Sequence, residues 1–122
     1  MKEVIFTARE LDLMAVLWDM GSGTVTEVRE SLADDLAYTT VLTILRTLEE
    51  KGHLAHESEG RAHRYRPLVE REHAQESALN RITQKLFGGS TELLLTHLVA
   101  DRALSDAEAE RLRALLSERL EG

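Results

Sequence analysis

The sequence predicts a mainly α fold: a winged helix-turn-helix of three helices and a β-hairpin, followed by a helical dimerisation region. Three observations predict it. Capping-box pairs open amphipathic segments at Thr7, Thr24 and Ser105; glycines punctuate the chain at 21–23, 52 and 88–89; and the stretch from His53 to Arg66 reads as two strands bent around Gly60. A chain of 122 residues has room for one small domain and an appendage too thin to bury a core of its own. The expected division is a winged-helix domain over 1–67 and a dimerisation domain over 68–122.

The segment Thr7 to Met20 opens with Thr7-x-x-Glu10, a pair in which each side chain satisfies an amide of the first turn. Leu11, Met14, Leu17 and Trp18 recur at helical spacing as its apolar face, and Gly21-Ser22-Gly23 stops it. Thr24-x-x-Glu27 starts a second helix whose buried stripe is Val25, Val28, Leu32 and Leu36. A third helix runs from about Thr39 to Lys51, with Val41, Ile44, Leu45 and Leu48 facing inward and Gly52 at the left-handed exit. His53 to Glu57 and Ala62 to Arg66 then pair around Ser58-Glu59-Gly60-Arg61, and Pro67 closes the hairpin. A helix-turn-helix with a β-wing has this order.

The remainder is helical: Glu70 to Phe87, then Gly88-Gly89, Ser90 to about Ala100, and a last helix behind Ser105-x-x-Glu108. Its apolar stripes include Leu79, Ile82 and Leu86, then Leu94 and Leu98, then Leu112, Leu115 and Leu116. They are too extensive for three short helices to hide, so a second copy of the chain is the expected cover.

Composition narrows the function. The chain has no cysteine, which excludes thiol redox sensing, thiolate metal sites and cysteine catalysis. No apolar run approaches the roughly 20 residues of a membrane span, and MKEVIFTARELDL carries no export signal. A cytoplasmic protein with no membrane partner is expected. A net charge of −7 is unfavourable for nucleic-acid binding overall, because Lys and Arg must neutralise phosphates. Its distribution resolves the conflict: Arg61, His63, Arg64 and Arg66 form a basic finger free of acid on an otherwise acidic body.

Thr39, Thr40, Leu42, Thr43, Arg46 and Thr47 lie opposite the apolar stripe of the third helix. Threonine costs roughly half a kcal/mol against alanine in a helix interior, so so many on one face make a poor solvated helix. A major-groove helix uses them: hydroxyls reach phosphates or base edges, methyl groups and Leu42 touch thymine methyls, and Arg46 contacts guanine or phosphate. The competing account is a helix that tolerates threonine because its neighbours stabilise it; the position within a helix-turn-helix favours DNA. Arg61, Arg64 and Arg66 would reach a minor groove or flanking phosphates, or else form a charged edge that blocks strand aggregation. Alternation puts Arg64 and Arg66 on one face, His63 and Tyr65 on the other. Tyr38 either hydrogen-bonds a phosphate or staples the helix start.

Several segments together resemble the BlaI/MecI/CopY family of penicillinase-type repressors, across nearly the whole chain. They are Thr7-Ala8-Arg9-Glu10-Leu11-Asp12-Leu13-Met14, Leu17-Trp18, Thr24-Val25-Thr26-Glu27-Val28, Leu36-Ala37-Tyr38-Thr39-Thr40-Val41, Leu48-Glu49-Glu50-Lys51-Gly52, Gly60-Arg61-Ala62-His63-Arg64-Tyr65 and Leu104-Ser105-Asp106-Ala107-Glu108. The resemblance implies a homodimer that binds dyad operator DNA, pairs through its C-terminal helices, and controls β-lactam resistance or copper homeostasis genes. Copper-responsive members carry C-terminal cysteine pairs, absent here; metal sensing by that route is excluded and no cofactor is expected. In antibiotic-responsive members a regulatory protease cuts an Asn-Phe bond in the segment matching the leucine-rich stretch, where Thr96-His97 stands here.

Other classes fit less well. An enzyme would have to draw on His53, His56, His63, His73 and His97, which form no recognised motif. His53 and His56, three apart at a strand start, point to opposite faces, poor geometry for one metal ion. The carboxylates Glu10, Glu27 and Glu108 are explained by helix starts. A winged helix used only for protein contact suits the acidic body but not the arginine wing. No aromatic cluster marks an effector pocket.

Overall fold

All three capping boxes form. A computed structural model describes residues 4–100 and 104–122. In it Thr7, Thr24 and Ser105 each accept the amide of the glutamate three positions on, and that glutamate accepts the amide of the cap residue. The elements run α1 (Ala8–Met20), β1 (Gly23–Thr24), α2 (Val25–Ser31), α3 (Tyr38–Glu50), β2 (Leu54–Glu59), β3 (Ala62–Pro67), α4 (Arg71–Leu86), α5 (Thr91–Ala100) and α6 (Asp106–Glu121). None of the described helices is long and apolar enough to cross a membrane.

The hairpin is one strand richer than expected. β1 adds to β3, giving an antiparallel sheet of order β1-β3-β2, with Gly23 opposite Tyr65 and Thr24 opposite Arg64. A two-residue strand has no periodicity to read, so only the fold reveals it. The wing strands also run closer to the tip than expected. Glu59 pairs with Ala62, leaving Gly60 and Arg61 as the turn, and Gly60 takes the positive φ such a tight connection needs. α2 is shorter than its apolar stripe: Leu32 is already extended (φ −75°, ψ 143°), and it and Leu36 reach the core from outside the helix.

The core joins Leu13, Met14 and Leu17 of α1, Val25 and Val28 of α2, Val41, Leu45 and Leu48 of α3, and Leu54 and Tyr65 of the sheet. This corrects the apolar face assigned to α1. Leu11 is 44% exposed while Leu13 is fully buried. The true stripe is 10, 13, 14 and 17, and its first member is a glutamate, which disguises the pattern. Ile44 and Trp18 pack at the margin; the Trp18 indole N–H donates to the carbonyl of Val69, fixing the chain as it leaves the wing.

Glu10 is buried as a charge, with its partners present. One carboxylate oxygen accepts the Thr7 amide at 2.7 Å, the other the Lys51 ammonium at 2.8 Å. Burial pushes its pKa up, but the bonds from Lys51 and Thr7 outweigh burial and hold it below the ordinary carboxylate value. A depressed folded pKa contributes stability above the unfolded value, lost as pH falls through the folded one. The wild type is therefore expected to be more stable than Glu10→Gln at neutral pH, and the two urea midpoints to converge on acidification below the normal carboxylate range. A midpoint difference that does not change with pH would refute this.

The chain divides into one compact unit ending at Ala78 and another from Leu79 to Gly122. The first unit extends beyond Pro67 because the start of α4 packs into it. Ala74 is buried, and the Ser77 hydroxyl accepts the Val4 amide and donates to the Val4 carbonyl. In the second unit Thr83 is buried, its hydroxyl donating to the carbonyl of Leu79, and α5 and α6 bury no residue.

Candidate nucleic-acid interface

The outward face of α3 is set by its inward one. With Val41, Leu45 and Leu48 fully buried, a turn of about 100° per residue carries Thr39, Thr43 and Arg46 to the far side, and all three are exposed, as is Thr40. Leu42 and Thr47 are half-buried at the two borders, Leu42 against the core; the expectation that both face fully outward is corrected. Tyr38, at 47% exposure, stands at the helix start. Ala37 caps that start with no side-chain bond, and among the described residues no side chain accepts from the first-turn amides.

The threonines are not idle within the helix. The Thr43 hydroxyl donates to the carbonyl of Thr39, and that of Thr47 to the carbonyl of Thr43, both at 2.9 Å. Such back-bonding lets a helix carry threonine without a loose hydroxyl. It leaves each oxygen with acceptor capacity and a methyl group. At the other end Gly52, at φ 85°, makes a Schellman exit: its amide donates to Glu49 and that of His53 to Leu48. That exit delivers the chain directly into β2.

The wing has two chemically different faces, as alternation predicts. On one, His56 and His63 stack at 4.2 Å between ring centroids, beside the buried Tyr65. His56 Nδ1 lies 2.5 Å from the Glu49 carboxylate, which braces β2 on α3. Burial raises the Tyr65 phenol pKa, with the Glu49 charge adding to it and the nearby Arg46 charge opposing.

The other face carries Arg64 and Arg66, and they differ. Arg64 bonds Glu27 through Nη1 at 2.9 Å and Nη2 at 3.3 Å, and Glu59 through Nη2 at 2.9 Å and Nε at 3.2 Å. Those carboxylates raise its pKa, Glu59 first and Glu27 second. Arg66 stands opposite Ala55, and Arg61 lies in the turn; both are exposed and in no salt bridge among the described residues.

Sequence reasoning missed the Arg64 contacts and the Glu49–His56 brace. The Arg64–Glu27 contact joins residues far apart in the chain, and the Glu49–His56 brace crosses from a helix to a strand, where neither helical nor strand periodicity applies; alternation could assign Arg64 a face but not name what lay on it. The histidines do not gather into one site. His53 packs against Phe6 and His56 against His63, and no group of three metal-binding side chains occurs among the described residues.

The chain is 38% identical over 98 residues to the transcriptional regulator BlaI of Mycobacterium tuberculosis, covering 78% of this chain and 70% of that one. It is 27% identical over 111 residues to the penicillinase repressor of Bacillus licheniformis, covering 89% and 87%. The solution structure of the DNA binding domain of the repressor BlaI superposes with a TM-score of 0.53 at 31% identity, covering 59% of this chain and 90% of that one. The crystal structure of the oxidized form of MarR from E. coli shares the fold alone, at 16% identity and a TM-score of 0.55, covering 94% and 76%. With the penicillinase repressor family profile matching residues 6–118, the chain belongs to that family.

Proposed function

We propose that this transcriptional repressor occupies two-fold symmetric operators in promoters as a homodimer. As a member of a repressor family it binds DNA and is not an enzyme. The observation that carries the proposal is the juxtaposition of an exposed threonine-rich helix face with a wing whose Arg61 and Arg66 have no acidic partner among the described residues. In this reading Thr39, Thr40, Thr43 and Arg46 of α3 enter a major groove, with Leu42 and Thr47 at the margins of the contact. Tyr38 and the uncapped amides of α3 meet a phosphate, and Arg61 and Arg66 grip the flank. The test is capture of fragmented genomic DNA by the purified chain at near-physiological salt, followed by sequencing. Enrichment of a two-fold symmetric site upstream of a few genes is expected. Recovery of no preferred sequence would favour a surface used for protein contact instead.

Thr43 is the residue expected to read sequence. Its hydroxyl hydrogen is held by Thr39, so it offers an acceptor and a methyl to a base edge and no ready donor to a phosphate. Thr43→Ala should weaken binding to the selected site by roughly tenfold, about the loss of one base contact, and binding to mixed-sequence duplex much less. Equal losses on both DNAs in a fluorescence titration would assign Thr43 to phosphate.

Dimerisation is proposed through the second unit, where Leu79, Ile82, Leu86, Leu98, Leu115 and Leu116 are each 43% or more exposed in the single chain, with half-buried Leu94 and Leu112 beside them in sequence. Isolated apolar residues on a surface are ordinary, but this density is not. We propose that an inducing signal releases the repressor; a regulatory protease as that signal would have to cut α5 at exposed Thr96 and His97, which replace the Asn-Phe pair of antibiotic-responsive members. Recovery of uncut repressor from induced cells would exclude that route.

A further inference from the structure

We infer that Arg64 is a positioning residue of the wing, a clasp that holds the β2–β3 hairpin against the start of α2, and not a phosphate contact. The inference rests on the DNA-binding reading above and concerns how the wing is held for it. Arg64 sits on β3 in register with Thr24, the residue that caps α2. Its guanidinium, which has five N–H donors, makes five contacts: two to Glu27, two to Glu59 and a long one, 3.5 Å, to the Ser22 hydroxyl. Glu27 Oε1 also accepts the Thr24 amide at 3.0 Å. One carboxylate therefore closes the α2 cap and anchors the wing, and Glu59 ties the far end of β2 to the same cation.

Charge decides between clasp and phosphate contact. One guanidinium between two carboxylates leaves the cluster with a net charge of about −1, which a phosphate avoids. Swinging Arg64 to DNA would strand Glu27 and Glu59 facing the backbone. Arg61 and Arg66 carry no such burden. The clasp also explains how a hairpin with an exposed tip keeps a defined pitch relative to α3. Its His56–His63 face is braced on Glu49 of α3, and its Arg64 face on Glu27 of α2, so the wing is held from both sides.

The salt dependence of binding separates the two roles. The probe is a fluorescein-labelled mixed-sequence DNA duplex, titrated with the full chain across a salt series. Arg61→Gln should flatten the slope of log K against log salt by about 0.9, the value for one lost phosphate contact. Arg64→Gln should leave the slope unchanged while lowering affinity roughly fivefold, the scale of ordering a loosened segment on binding. Arg64→Lys should not restore affinity, because one ammonium cannot span two carboxylates, whereas for a phosphate contact lysine would serve. Glu59→Gln, which leaves the α2 cap intact, should reproduce the Arg64→Gln loss. Hydrogen exchange on the free protein should speed up at the wing amides in Arg64→Gln and Glu59→Gln but not in Arg61→Gln.

A slope that flattens in Arg64→Gln as in Arg61→Gln, or full rescue by lysine, would overturn the clasp. So would unchanged affinity in folded Arg64→Gln, which would leave Arg64 a stabilising contact only. Failure of the wild type to bind any duplex would count against the DNA-binding reading, and the exchange measurement would then decide the clasp alone.

Discussion

Leu45→Ala is expected to remove about 2–5 kcal/mol of unfolding free energy, the range for emptying a fully packed leucine site. Leu45 has no exposed surface and lies on the inward face of α3, between Val41 and Leu48. A small domain has only about 5–15 kcal/mol in total, so the variant should be partly unfolded at physiological temperature and should lose DNA binding through that route. Leu11→Ala makes the control. Leu11 is apolar but 44% exposed, and surface substitutions usually stay within about 0.5 kcal/mol. Urea midpoints that moved equally in the two variants would show that α1 and α3 do not pack as described. The comparison bears on function because the helix proposed to read DNA is oriented by these leucines and not by contacts of its outward face.

Leu116→Asp should give a monomer with an intact N-terminal unit. Leu116 is 52% exposed in the single chain, so an aspartate there costs the isolated chain little and a buried pair interface a great deal. Each monomer would then hold one half-site, and apparent affinity for a two-fold symmetric operator should fall by roughly 100- to 10,000-fold, the effective-concentration advantage of linked sites. Binding to a single half-site should change little. Sedimentation that still shows a dimer would defeat the assignment of α6 to the interface. A dimer lost with operator affinity unchanged would defeat the proposal that both half-sites are held at once.

Much of the secondary structure was legible along the chain because it is written in local chemistry. The capping pairs at Thr7, Thr24 and Ser105 and the left-handed exit at Gly52 each depend on residues a few positions apart, and each forms. The outward threonines of α3 follow from helical periodicity, and the two faces of the wing from alternation. The resemblance carried by these segments likewise led to the family that the comparisons show.

What the sequence did not display are pairings whose partners lie far apart in the chain. Glu10 breaks the apolar stripe of α1, yet it is buried because Lys51, forty-one positions on, neutralises it. β1 exists only because β3 passes beside Gly23 and Thr24. Arg64 reads in sequence as one of three equivalent wing arginines, and becomes a clasp only when folding brings Glu27 alongside, thirty-seven positions away. By itself the sequence determined the helices, the three capping boxes, the hairpin and its two faces, and the outward placement of Thr39, Thr43 and Arg46 on α3, since hydrogen bonds and hydrophobic periodicity act over a few residues. Only the tertiary structure decided which of the wing's arginines meets carboxylates, because the energy of a charge depends on every neighbour within a few ångströms, whatever its place in the chain.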